Sequence, residues 1–208
     1  SIEEMDSLSH YKNVFLFPLI ENMYQGEDYK THSKKSRLRI GFHGHYPHLS
    51  KFAPNLKRAI EEVDKVCDIE LLVITSNTSF KWKVVPNVTH IPLDLNKHKT
   101  STDLGLYNTD FIVRMKNKSN AGRAYVFHQL GIPVIADFTP SNFHVMGDPE
   151  CGILANSYEG WKKGILRLCD ANLRQKMADH AKREFDRLYS PYAWASKLYN
   201  DILGITYE

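Results

Sequence analysis

Cysteine is scarce in this 208-residue chain: only Cys67, Cys151 and Cys169 occur, none in CxxC spacing and all in apolar contexts. That excludes a disulfide-rich secreted scaffold and favours a reducing compartment. Long apolar runs are missing too. The longest, Val14 to Ile20, is interrupted by Pro18 and falls well short of the roughly 20 residues that cross a bilayer; no secretory leader is visible. Charge of one sign is also lacking. The 27 Lys and Arg stand against 24 Asp and Glu, a formal net charge of +3, which excludes the basic footprint of a long nucleic acid and leans weakly toward an anionic ligand. Neither a P-loop pattern nor a Ser–His–Asp order stands out, so kinase and hydrolase chemistry find no support.

What is present suits one domain. With 42% hydrophobic residues, the chain has room for a single core of roughly 150–170 residues plus an arm. Residues 1–36 read as that arm, leading from a preceding domain. It holds a short extended segment at Asn13 to Ile20 and a polar connector at Glu21 to Ser36. The basic stretch Lys30 to Arg39 (KTHSKKSRLR) reads as a solvated linker.

From Arg37 to the C-terminus, short apolar runs alternate with helical patterns. RLRIGFHG (37–44) ends in a strand with two glycines at its exit. HYPHLS (45–50) reads as a loop, and a helix follows with Leu56, Ile60, Val63 and Val66 on one face, Pro54 being tolerated in its first turn. IELLVIT (69–75) is an apolar run, as expected of a strand covered on both sides. Further strands are expected at Val88 to Leu93, Asp110 to Met115, 133–137 and Cys151 to Ala155, with helices over 158–169, 170–188 and 192–203. Trp161, Trp194 and the tyrosines at 189, 192 and 199 read as core. This alternation implies an α/β fold, a doubly wound and mostly parallel sheet.

In such sheets ligands sit beyond the carboxyl ends of the strands. Three polar loops meet there: His43 to Lys51, Thr75 to Lys83, and Lys116 to Arg123. The last precedes a helix for which Ser119 or Asn120 fits the N-cap and Gly131 the residue just past the C-terminus. Cationic and amide side chains therefore gather at a helix N-terminus, the end that attracts anions. The pattern points to a phosphate-binding corner. His43, His45 and His48 share one loop, but no carboxylate or cysteine adjoins them and no metal site is assigned; the stretch reads either as a plain loop or as one whose imidazoles bond a phosphate or an acceptor.

Taken together, GFHG ahead of a helix, LGLYNTD (104–110) ahead of a strand, KSNAGR (118–123), LGIPVIAD (130–137), CGILA (151–155) and LRQKMADHAKREF resemble the C-terminal, donor-binding half of GT-B fold glycosyltransferases. The retaining group often called family four is the nearest match, over about residues 37–203. The resemblance implies a nucleotide-diphospho-sugar donor, a glycan or lipid-linked acceptor, an N-terminal Rossmann-like domain or partner chain, and no bound metal or other cofactor. It implies a cytoplasmic place, at the inner face of a membrane for some acceptors, in polysaccharide synthesis. By position, Gly44 and His45 would line the diphosphate loop, with Lys51 close behind. Lys118, Asn120 and Arg123 would contact phosphate. Phe80 and Trp82 would border the base, and Asn142 and His144 the sugar. One departure stands out: family members commonly carry two glutamates where this chain has Lys118 and Val126. Neither can accept a bond from a ribose hydroxyl, so the alternative is a GT-B-like scaffold module that has lost donor binding.

Overall fold

A computed structural model describes residues 2–11, 28–77, 79, 81–94, 100–101, 103–114 and 121–204. The expected strand Asn13 to Ile20 lies outside them. A short helix α1 (Ile2–Ser7) precedes a six-stranded sheet of β1 (Arg37–His43), β2 (Asp68–Thr75), β3 (Asn87–Pro92), β4 (Phe111–Arg114), β5 (Val134–Asp137) and β6 (Ile153–Ala155). All pairings are parallel, and the strand order is β3-β2-β1-β4-β5-β6. The order reverses between β1 and β4, which places a crevice at their carboxyl ends.

The central runs that read as strands in sequence do so because both faces are covered, whereas the edge strand β3 is only partly covered. Successive residues of β2 alternate between two cores: Ile69, Leu71 and Val73 join one, Leu72 and Ile74 the other. In β4, Phe111 and Val113 face the first core and Ile112 the second. The first core is closed by α2 (Pro47–Phe52), α3 (Pro54–Asp64) and α6 (Tyr158–Arg167), which supply Leu49, Leu56, Ile60, Val63, Trp161 and Ile165. Gly164 lets α6 sit directly on β5: a Cβ there would lie 2.4 Å from Ile135 Cδ1.

The second core is closed by α4 (Gly122–Leu130), α5 (Pro140–Met146) and the end of α7 (Ala171–Leu188), through Phe185. Helix α4 has no solvated face. Ala124, Tyr125, Val126, Phe127, His128 and Leu130 are all buried, as expected of a helix packed on every side. It ends on Gly131 at φ 71°, the left-handed residue expected there. The last helix, α8 (Pro191–Lys197), runs into a π-helical turn, Leu198–Ile202.

Several expectations need correction. HYPHLS is no simple loop, because α2 begins at Pro47 and a second proline, Pro54, starts α3 after Ala53. Val66 lies beyond α3 and is 72% exposed. Trp194 is buried as expected, but Tyr192 is 85% exposed and Tyr199 is also on the surface, since α8 presents only one side to the domain.

The basic stretch 30–39 is half buried rather than solvated. Lys30 and His32 are buried; Lys30 N bonds Leu130 O at 3.0 Å and His32 Nε2 bonds Gly131 O at 2.8 Å. Tyr29 OH donates to Asp179 at 3.0 Å, and its ring closes over Gly131, where a Cβ would lie 2.6 Å away. Residues 28–36 therefore form a strap across the end of α4 and onto α7.

The cysteines are free thiols, but folding brings two of them together. Cys67, 102 residues from Cys169 in the chain, has its Sγ 3.2 Å from that of Cys169. Both are partly exposed. Treatment with oxidised glutathione should join this pair through mixed-disulfide exchange, the two thiol hydrogens passing to reduced glutathione. Mass spectrometry of the peptides should find a Cys67–Cys169 bridge; a bridge to Cys151 instead would contradict the packing.

Candidate functional site

At the crevice, β1 delivers His43, β4 delivers Arg114 and β5 delivers Asp137. The turn after β1 is held by Gly44 N donating to Ile74 O at 3.1 Å, and Gly44 lies over the Phe42 ring, with 3.0 Å from a built Cβ to Cζ. Opposite stands the first turn of α4. There Arg123 Nη1 donates to His43 O at 3.2 Å, so one guanidinium spans the two sides of the strand-order reversal. The positive end of the α4 dipole faces the same opening. A guanidinium has five donors in a planar fork, so it can be anchored by one while its charge addresses an anion.

His43 is only 7% exposed. Its ring meets Phe127 edge-on at 6.3 Å, and its Nε2 has no hydrogen-bond partner among the described residues. Burial first, and the Arg123 charge second, hold its pKa down at about 3. It therefore stands neutral at physiological pH and cannot serve there as a cation for phosphate.

A second polar cluster sits at the ends of β4 and β5. Arg114, 8% exposed, donates through Nη1 to Asn142 Oδ1. Asn142 in turn donates through Nδ2 to Asp137 O at 2.8 Å and to Asp137 Oδ1 at 3.0 Å. Thr139 caps α5 by accepting from Asn142 N at 3.2 Å. Sequence reasoning passed over Arg114. The signal was there: a charge closing the run FIVR, in a strand covered on both faces, requires a buried partner.

The residues singled out from sequence fall into several groups. Gly44 and Arg123 meet at the crevice. His45 is exposed beside Tyr46 and His48, at ring distances of 5.2 and 6.1 Å. Lys51 belongs to α2. Lys118, Asn120 and Phe80 lie outside the described residues, as does the expected N-cap at Ser119 or Asn120; Ala121 stands at the cap position of α4. Trp82 is 7% exposed and packed in the first core, with its N–H of the main chain donating to His90 at 2.8 Å. Its ring is thus engaged in packing rather than offered as a platform for a base. Asn142 is buried and bonded as above, whereas His144 is exposed and lies 3.4 Å from Tyr189 OH. Val126, at one of the two family glutamate positions, is 2% exposed in the second core. No described helix is long and apolar enough to cross a membrane.

No protein-family model and no curated protein matches the sequence. Solved structures do match in fold. WaaG, a glycosyltransferase involved in lipopolysaccharide biosynthesis, superimposes with a TM-score of 0.60 at 15% identity, covering 79% of this chain and 47% of its own. TarM of S. aureus, in a variant complexed with Fondaparinux, alpha-GlcNAc-glycerol and UDP, gives 0.70 at 17% identity, covering 96% of this chain and 42% of its own. The isolated C-terminal domain of the group 1 glycosyl transferase LpcC from Francisella tularensis gives 0.56 at 15% identity, covering 85% and 95%. The chain has the fold of a GT-B C-terminal domain and spans less than half the length of the first two proteins.

Proposed function

We propose that this domain is the donor-binding half of a glycosyltransferase and holds a nucleotide-diphospho-sugar in the crevice between the ends of β1 and β4. The observation that carries this is the Arg123–His43 O bond, which fixes a cation and a helix N-terminus against the turn after β1. When the bond from the anomeric carbon to the diphosphate breaks, the sugar gains oxocarbenium character and the diphosphate gains charge. Arg123 and the α4 dipole, joined by Lys118, Asn120, Lys51 and the amides near Gly44 and His45, would stabilise that leaving group electrostatically. Such a cradle needs no metal. The acceptor, a glycan or lipid-linked sugar, would be bound by a further Rossmann-like domain or partner chain, in the cytoplasm or at the inner face of a membrane.

Calorimetric titration with UDP, GDP and their sugars tests this. One nucleotide diphosphate should bind in the micromolar range, and Arg123→Ala should weaken it by about 10- to 100-fold, the loss of a charge-assisted bond of about 1.5–3 kcal/mol. Absence of binding by any of them would identify a scaffold module instead. The buried Val126 and the lysine at position 118, in place of the two glutamates, are what that outcome would rest on.

A further inference from the structure

On the other side of the sheet, before β6, the loop between α5 and β6 meets the middle of α7. Among the described residues, one group brings together side chains able to hold a metal ion: Asp148, Cys151 and His180, whose donor atoms all lie within 4.8 Å of one another. Gly152 follows at the base of β5, where a built Cβ would lie 3.0 Å from Val134 O. Val134 opens β5, so this cluster sits at the amino ends of the strands, away from the crevice.

The cluster is organised donor by donor. Asp148 Oδ1 accepts from Glu150 N at 2.9 Å, which leaves Oδ2 turned to His180 Nε2 at 2.8 Å. On the far side of the imidazole, Nδ1 lies 3.4 Å from Glu150 Oε2. Arg183 Nη2 lies 3.4 Å from the same Nδ1, so without a metal Nε2–H donates to Asp148 Oδ2. A metal at Nε2 would displace that proton, and Nδ1–H would then face Glu150, the kind of outer partner that metal-bound histidines usually carry. Cys151 supplies a thiol only 4% exposed. Around this buried thiol stand three carboxylates, Asp148, Glu184 and Glu150, against one guanidinium, that of Arg183 beside His180. The acidic majority favours a dication.

We propose that Asp148, Cys151 and His180 form a binding site for a divalent transition metal, zinc by the chemistry of its donors, with Glu150 as the outer partner of His180. One sulfur, one imidazole nitrogen and one carboxylate oxygen form a borderline-soft set suited to zinc rather than to calcium or magnesium. Zinc lies about 2.0–2.3 Å from such donors, so the side chains close by roughly 1 Å around it, with water as the fourth ligand. Binding replaces the thiol S–H with a metal–sulfur bond and releases that proton to solvent, so affinity rises with pH. The ion would fasten the α5–β6 loop to α7.

The test uses the full chain, stripped by a chelator and titrated with cobalt(II), then with zinc as competitor. One cobalt per chain should bind with a thiolate-to-cobalt charge-transfer band, and zinc should displace it. His180→Gln and Cys151→Ser should each weaken binding at least 100-fold and abolish the band, and Glu150→Gln should weaken it about 10-fold. Should Cys151→Ser fail to fold, His180→Gln decides, because His180 is partly exposed on α7 and its loss leaves the core intact. Zinc should raise the melting temperature of the parent chain but not of His180→Gln. Cobalt binding without the band, binding that survives His180→Gln, or binding lost instead in His45→Ala would overturn the assignment.

Discussion

Acidification from pH 7 to pH 4.5 should unfold this domain before its carboxylates titrate. His32, His43 and His128 are all buried, and burial is the first cause that lowers each, to about 4, 3 and 4. An unfolded histidine titrates near 6.5. Between those values the unfolded chain binds protons that the folded chain refuses, so stability is full above about pH 6.5 and is lost as the pH falls. Each histidine contributes a slope of up to about 1.4 kcal/mol per pH unit. Three of them over roughly two units approach the whole stability of an ordinary domain, about 5–15 kcal/mol. Urea midpoints at pH 7.5, 6.0 and 5.0 should fall steeply. His128→Leu, which removes a buried ring whose Nε2 has no described partner, should flatten the slope whatever it does at pH 7.5. A stability unchanged down to pH 5 would refute the account.

Replacing Arg174 with methionine should lower stability by about 3–5 kcal/mol, the range for breaking a buried charged network by removing one member. Arg174 has no exposed surface. Its Nη1 donates to Leu168 O at 2.8 Å and Cys169 O at 3.0 Å, and its Nη2 to Ser33 O at 2.9 Å. Nη2 also lies 3.6 Å from Asp110 Oδ1, while Asp110 Oδ2 accepts from Arg39 N at 2.9 Å. Methionine fills the volume but leaves the three carbonyls without their donor and Asp110 with Lys35, 3.0 Å from Oδ1, as its remaining cation, and the strap loses its grip on α7. Denaturant unfolding measures the loss, and limited trypsin digestion should cut earlier at Lys34. A loss below about 1 kcal/mol would show that water replaces the guanidinium.

How much of this was legible in the sequence depended on range. The strands were readable because a parallel strand covered on both faces must be apolar through its middle, as LLVI, FIV and VIA are within IELLVIT, DFIVR and PVIAD. Gly131 and Asp170 were readable because a left-handed C-terminal residue and an N-cap are local demands; Asp170 does accept from Asn172 N. Helix α5 was missed although Thr139 and Pro140 signal an N-cap and a first helical residue, because six further residues carry too little periodicity. The strap was misread because its partners, Leu130, Gly131, Gln175 and Asp179, lie about 100 or more residues away and leave no local trace. At the crevice the sequence indicated Arg123 and Gly44 through their place at helix and strand ends. It concealed the burial of Trp82 and Asn142, which depends on what packs above them.

The enclosure of α4 has a further consequence. A helix gripped on every side does not drift, so an anion reaching its first turn meets a field already oriented, and the reorganisation that water would need is settled during folding. Occupancy should then register as slowed amide exchange in the turns bordering the opening, while the amides inside the helix, shielded from the start, keep their pace.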